Sequence, residues 1–263
     1  MRNIGRGTTT LITGASSGIG RAFAERIAAD GGDLVLVARR AEALTTLAGA
    51  LADAHGIRAH AVAHDLDAPG AATTLAERLR ADGLRIDALI NNAGLGIHGD
   101  LTTQSFAAVT TQIAVNVTSL TELTALLLPG MLERRRGAVI NVASTAAFQP
   151  LPHMSVYGAT KAYVLSFSRA LWRETRGTGV DIMAICPGAT ATSFFTIAGE
   201  DAAFGRLRTV DGVVDSALRG LRRGRPTVID GAANAFSSRL AAVLPERMAI
   251  ALAERAVRPS RNP

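Results

Sequence analysis

Thr13-Gly14-Ala15-Ser16-Ser17-Gly18-Ile19-Gly20 joins a β-branched run, Thr9–Thr13, to an Ala-rich helical pattern over Gly18–Ala29. A strand, a glycine-rich turn and a helix, in that order, make a unit suited to phosphate. Gly14 permits a tight turn, Gly18 lets backbone approach a pyrophosphate, and Gly20 allows the helix to pack closely on the strand. The helix N-terminus adds free N–H groups and a positive dipole end, so Ser16, Ser17 and Ile19 join the three glycines as candidate contacts to an anionic cofactor. The G-x-x-x-G-x-G spacing departs from the G-x-G-x-x-G fingerprint, so the loop needs support from the rest of the chain.

The support is rhythmic. Short apolar runs predict strands at Thr9–Thr13, Leu34–Ala38, Arg58–Ala63, Ala88–Asn91, Ala138–Val142, Asp181–Cys186 and Thr227–Ile229. Helical patterns fall between them, at Gly18–Ala29, Ala41–Ala54, Ala71–Ala81, Ser105–Leu128 and Ser155–Arg176. Strands without polar alternation are buried on both faces, as in a parallel sheet. Repeated βα units therefore predict an α/β fold, a doubly wound (Rossmann) parallel sheet of about seven strands flanked by helices. With no linker or repeat in sight, residues 1–263 are read as a single dinucleotide-binding catalytic domain. The irregular stretch 189–209 follows a strand end and is a candidate substrate lid.

Composition narrows the class. At 48% hydrophobic and 19% charged, the chain can bury a large core. The net charge of +6 comes from arginines spread along the sequence, which predicts no nucleic-acid partner. Arg134-Arg135-Arg136 and the Arg219–Arg225 group are expected at helix ends or on solvated faces. The lone Cys186 lies in an apolar run and reads as a core residue. The first strand begins by about residue 9 and no apolar run approaches the ~20 residues of a membrane helix, so a cytoplasmic protein without a signal peptide is expected. His55, His60, His64, His98 and His153 show no ligand spacing, and no metal is expected.

The second strand ends in Arg39-Arg40. A carboxylate there would grip the ribose 2′-hydroxyl of NAD, whereas Arg accommodates the 2′-phosphate of NADP. NADP(H) is therefore expected in preference to NAD(H), with Arg39 and Arg40 as contacts.

Tyr157-Gly158-Ala159-Thr160-Lys161 opens a helical pattern, and its i,i+4 spacing puts Tyr157 and Lys161 on one face. A free tyrosine titrates near 10, so action near neutrality needs a shift of roughly three units. A cation ~4 Å away supplies about that much at an effective dielectric near 20. Lys161 is the only lysine in the chain. Its ammonium has rotatable donors that a flat guanidinium lacks. Ser144 follows a strand end thirteen residues before Tyr157. It is read either as a donor to a substrate carbonyl or as a turn residue. Ser155 is the expected N-cap of the Tyr157 helix.

These motifs, in this order, resemble the short-chain dehydrogenase/reductase family over about residues 8–230. The glycine loop, Asn91-Asn92-Ala93-Gly94, Asn116, Ser144, Tyr157, Lys161 and Pro187-Gly188 carry the resemblance. It implies hydride transfer between a nicotinamide and a carbonyl or alcohol carbon, with Tyr157 as general acid/base and Ser144 polarising the carbonyl. It implies that Lys161 binds the ribose and lowers the Tyr157 pKa, and that Asn116 holds a water linking Lys161 to solvent. Asn92, Ala93 and Gly94 would line the adenosine side, and Asp65, with Leu66, would meet adenine. Pro187 and Gly188, with Thr190 or Thr192, would flank the carboxamide. A plainer reading of Asn116 is a helix residue bonding a neighbouring loop. The rival from another class is a catalytically idle dinucleotide-binding regulator on the same fold.

Three segments, Leu95–Asp100, Thr145–Met154 and Ala189–Leu207, should set the substrate. Leu95, Ile97, Phe148, Leu151, Met154, Phe194, Phe195 and Phe204 give them an apolar cast, which favours a small lipophilic ketone or alcohol. The amphipathic segment 235–257 has several readings. It could pack on the core, cover the substrate mouth, join subunits or lie on an anionic membrane surface. A homodimer or homotetramer is expected.

Overall fold

The apolar runs become parallel strands because both their faces are covered. In the computed structural model these are β1 (Thr9–Thr13), β2 (Asp33–Ala38), β3 (Ala59–Ala63), β4 (Ala88–Asn91), β5 (Gly137–Val142), β6 (Val180–Cys186) and β7 (Thr227–Ile229). The structure describes residues 4–192, 207–241 and 243–257. Strand order is β3-β2-β1-β4-β5-β6-β7, and each pairing is parallel. The order reverses between β1 and β4, and a ligand crevice opens beyond the carboxyl ends at such a switch point.

Adjacent strand residues point to opposite faces, which splits the apolar runs into two cores. Ile12, Leu36, Ile90 and Ile140 meet Phe23, Leu44 and Leu218 from α1 (Gly18–Ala29), α2 (Ala41–His55) and α7 (Val210–Arg222). Leu11, Val35, Leu89 and Val139 meet Leu75, Leu123 and Trp172 from α3 (Ala71–Ala81), α5 (Leu120–Glu133) and α6 (Ser155–Glu174). Two further helices close the described chain, α8 (Ala232–Ala241) and α9 (Glu246–Val257).

Two helix expectations need correcting. The run predicted as one helix over Ser105–Leu128 is α4 (Phe106–Ile113), a π-helical turn at Ala114–Ser119, and then α5. The widened turn sits at Asn116, and such bulges concentrate at functional sites. The helix also passes through Pro129 to Glu133 rather than stopping before the proline. The continuous helical run Phe106–Glu133 is long enough to cross a membrane and holds an 18-residue window of mean hydropathy 1.3. Counting unbroken apolar residues missed this, because Thr, Gln and Asn interrupt the run without lowering its average enough. In the fold its Leu120, Leu123, Thr124 and Met131 are buried. The second correction is at α6. Its N-cap is Met154, without a side-chain hydrogen bond, and Ser155 is the first helical residue.

The arginine clusters sit at helix C-termini, where cations oppose the dipole. Arg134 caps α5 and donates to the Ile86 carbonyl at 2.8 Å, and Arg219 and Arg222 lie in the last turn of α7.

A buried polar network holds the sheet to the α5–α6 layer. Asn91 Nδ2 donates to Asn141 Oδ1 (2.9 Å) and to Thr124 Oγ1 (3.0 Å), and Asn141 Nδ2 donates to Ser168 Oγ (2.9 Å). Asn141→Ala removes one partner each from Asn91 and Ser168 inside the core. Asn91 keeps Thr124 and Ser168 keeps the Val164 carbonyl, so we expect a loss of about 0.5–1.5 kcal/mol per hydrogen bond removed, measured by urea unfolding. An unchanged midpoint would show that the network carries no stability.

Candidate active site

The glycine loop leaves β1 and enters α1 with three different demands on its glycines. Gly14 (φ +65°) and Gly18 (φ +56°) adopt left-handed backbone, which side chains strain to follow. A Cβ on Gly20 would stand 2.4 Å from the Gly14 carbonyl oxygen, so Gly20 is required by packing inside the protein. Gly20 is not among the residues lining the cleft, and the close packing read for it from the sequence is what its surroundings require. Among the described residues, a Cβ on Gly18 would meet only the Thr192 side chain within 4 Å. Ser17 is the N-cap of α1, makes no side-chain capping bond, and no acid sits in the first turn. An uncapped helix N-terminus without a carboxylate suits a pyrophosphate.

Asn92 pins this loop to β4. Its Nδ2 donates to the carbonyls of Thr13 (2.9 Å) and Gly14 (3.2 Å), while Thr13 Oγ1 accepts from the backbone N–H of Asn92 and Ala93. At the end of β2, Arg39 and Arg40 are exposed, and an Arg40 guanidinium nitrogen lies 3.3 Å from Ser16 Oγ. Asp33, at the other end of β2, is bridged to Arg58 at 2.6 Å. Gly14, Ser16, Ser17, Gly18 and Ile19, both arginines, Asp65, Leu66, Asn92, Ala93 and Gly94 line one cleft of about 1390 Å³ with Ser144, Tyr157, Lys161, Pro187, Gly188, Thr190 and Thr192. That exceeds the few hundred to ~1,000 Å³ of an ordinary small-molecule pocket. It matches a dinucleotide lying beside a second ligand.

The polar cluster sits where β5 ends and α6 begins. Ser144 is the N-cap of a short 3₁₀ turn, its Oγ accepting from Ala146 N at 3.1 Å, and it hydrogen-bonds Tyr157. The turn reading of Ser144 therefore holds. Lys161 is 5% exposed and donates to the Val142 carbonyl at 2.8 Å. Its Nζ lies 5.8 Å from the centroid of the Tyr157 ring.

The expected downward shift of Tyr157 is not found. Burial pushes its phenol up to about 12, opposed by the Ser144 hydrogen bond, and Lys161 is not among the causes. The physical reason is that the ammonium is itself desolvated. Its pKa is pulled down to about 8, with the neighbouring Cys186 thiol opposing. Burial pushes the Cys186 thiol up to about 12, which makes it an inert core residue.

Asn116 is buried and does not line the cleft. Its Oδ1 accepts from Leu95 N (2.9 Å), and its Nδ2 donates to Leu95 O (2.9 Å) and Thr160 Oγ1 (3.0 Å). The side chain thus bonds a neighbouring loop. A Cβ on Gly94 would lie 3.1 Å from Asn116 Oδ1 and 3.3 Å from Lys161 Nζ, so that glycine keeps the loop close to both. Thr190 donates to Gly188 O at 2.9 Å, bracing the turn after β6.

Of the expected substrate wall, Leu95, Leu151 and Met154 line the cleft, while Ile97 and Phe148 do not. Phe148 packs with Leu120, Ala143 and Val164, under the Arg169 guanidinium. Phe194, Phe195 and Phe204, like most of the 189–209 segment, lie outside the described residues. The base of that segment is tied down by Arg208, which grips the fully buried Asp230 through Nε (2.7 Å) and a terminal nitrogen (3.1 Å). Sequence reading missed that pair; of the readings it left open for 235–257, Leu244, Leu252 and Ala256 in the cleft lining agree with a segment that covers the substrate mouth. Among the described residues no group of three metal-ligating side chains forms.

Comparison with known proteins agrees with this geometry. A family model described as short chain dehydrogenase matches residues 8–203. A very-long-chain 3-oxoacyl-CoA reductase of Anas platyrhynchos is 32% identical over 203 residues, 73% of this chain and 63% of that protein. The chain therefore spans under two thirds of that relative. A serine 3-dehydrogenase of Rhizobium radiobacter is 40% identical, over 71% of this chain and 73% of that protein. A solved short-chain dehydrogenase from Sphingobium yanoikuyae in complex with NADPH superposes with a TM-score of 0.80 at 38% identity, covering 91% of this chain and 97% of that one.

Proposed function

The chain belongs to the short-chain dehydrogenase family and is an oxidoreductase, and from that premise we propose that it is an NADPH-dependent reductase of bulky, apolar ketones. The observation that carries the reading is the make-up of the cleft. Ser144, Tyr157 and Lys161 line it together, the Tyr157 ring packs against Leu151 and Met154, and Leu244 and Leu252 add apolar lining to a wall that also carries Gln149, Asn234 and Ser237.

A bound nicotinamide supplies the hydride. The chain's own residues do the rest. Ser144 and Tyr157 hold the carbonyl oxygen, and Tyr157 gives it the proton that completes the alcohol. A phenol pushed up to about 12 stays protonated through the neutral range, so the proton that reduction consumes is in place. Lys161, anchored on Val142, presents a cation beside the phenol and to the ribose. Pro187 and Gly188 would flank the carboxamide, and Asp65 with Leu66 the adenine.

Support for the NADP preference comes from Arg39 and Arg40 at the end of β2, with Asp33 engaged by Arg58 at its far end. Each charge-assisted bond to a 2′-phosphate contributes roughly 1.5–3 kcal/mol. NADPH should therefore bind at least ~10-fold tighter than NADH, and Arg39→Asp should erase or reverse that preference. Titration of both cofactors by tryptophan or nicotinamide fluorescence reads it. Tighter NADH binding by the wild type would sink the assignment.

The serine 3-dehydrogenase relative carries a second reading, a small polar hydroxy substrate. A panel of apolar ketones, sugars and hydroxy acids with NADPH and NADP separates the two. Turnover of polar compounds alone would favour the second. We also propose a homo-oligomer, because Phe106, Ile113 and Leu126 stand exposed along the α4–α5 run. The membrane-surface reading of the tail has its support in the exposed Phe236, Val243 and Met248.

A further inference from the structure

We infer that α9 is the selectivity wall of the substrate cleft and that His98 is the positioning residue that sets it there. The inference rests on the ketone-reductase reading and deepens it.

The helix buries one stripe, Ala249, Ala253 and Val257, at spacings of four residues. Ala253 and Val257 form a single apolar cluster with Ala146, Leu151 and Met154, and the Tyr157 ring packs against that same cluster. The helix thus lies one side-chain layer from the proton donor. Ala249, Leu252, Ala253, Ala256 and Val257 line the cleft. A substrate whose carbonyl reaches Ser144 and Tyr157 must place its remaining bulk beside this face. Three of the five residues there are alanines, which leaves room for that bulk.

The last turn of a helix offers carbonyls with no partner inside the helix. His98 supplies one, its Nε2–H donating to Val257 O at 2.5 Å. His98 follows β4 on the loop whose Leu95 is clamped on both sides by Asn116. The loop is braced again beyond His98. Gly99 N donates to His153 O at 2.7 Å, and His153 Nδ1 pairs with Asp100 Oδ1 at 2.7 Å. His153 holds a left-handed backbone (φ 60°) while it does so. One rigid loop therefore registers the Gly94–Lys161 side of the site and the end of α9 together. Its histidines fit no metal site, but they have a use as a clasp.

The test reads the ratio of kcat/KM for a steroid ketone to that for cyclohexanone, with saturating NADPH. Ala256→Phe fills the cleft beside α9 and should lower the ratio at least about tenfold, the scale of a few methylenes in a tight apolar pocket. His98→Ala frees the helix end and should lower the ratio in the same direction, through KM for the steroid ketone rather than kcat. His98→Gln keeps an N–H donor and should recover most of it. If Ala256→Phe fails to bind NADPH or to melt cooperatively, the His98 pair alone decides. An unchanged ratio, or both ketones falling in parallel, would overturn the inference and leave the reductase reading standing. A wild type that reduces neither ketone, nor any other apolar ketone, overturns both.

Discussion

Tyr157→Phe loses about 10²–10⁴-fold in ketone reduction, the usual contribution of a positioned general acid, while NADPH binding and the melting temperature stay close to wild type. The substitution removes one oxygen from a side chain that lies between Ser144 and the apolar cluster of Leu151, Met154 and Ala253. Ring packing survives and the proton does not. Fluorescence titration of NADPH beside steady-state rates separates the two effects. A variant keeping most of the wild-type turnover would show that another group protonates the product. Tyr163, the only other tyrosine, is bonded to Thr121 on the helix surface, and no alternative phenol lies among the residues lining the cleft.

Lys161→Arg loses about 10²-fold or more, the scale of a small misplacement at a reacting centre, with weaker NADPH binding. The 5%-exposed ammonium fits one carbonyl, Val142 O, in a space edged by Gly94. A planar guanidinium is larger and presents its donors in a fixed fork. The pH profile gives an independent check. Desolvation holds the Lys161 pKa down to about 8, so the charged form prevails below that pH and is lost above it. Wild-type kcat/KM for reduction should therefore fall as pH rises through about 8. Residual activity of Lys161→Arg should lack that limb, because a guanidinium does not titrate there. A wild-type profile flat to pH 10 would show that the lysine charge is not used.

The frame of the protein was legible because its signals are local. β1, the glycine loop and α1 follow one another within twenty residues, and Tyr157 and Lys161 are fixed relative to each other by helix geometry alone. What escaped depends on distant partners. The different demands on Gly18 and Gly20 were legible from the loop, but only the fold names the atom, Gly14 O, on which Gly20 is pressed. For Asn116 the sequence left two readings open, and only the fold shows its side chain bonding the neighbouring Leu95 loop and Thr160. The π-turn leaves no mark in hydrophobic period, since six residues do not separate one helical pitch from another. Phe148 carried the expected chemistry but turned to the wrong side, towards Val164. The tail helix showed an apolar stripe whose destination no local rule could give. The sign of the Tyr157 shift was lost for a related reason, because charge and burial compete and the extent of burial is a property of the whole fold.

The central claim is that this chain transfers a hydride to an apolar ketone and that Tyr157 protonates the oxygen. Incubation of the wild type with NADPH carrying deuterium at the transferable nicotinamide position, and mass analysis of the alcohol, tests it most directly. The account predicts an alcohol from a bulky apolar ketone carrying one deuterium on its carbinol carbon, and a drop of about 10²-fold or more in its rate of formation with Tyr157→Phe. Cofactor binding without labelled alcohol from any ketone, or label transfer at an equal rate in the variant, would contradict it.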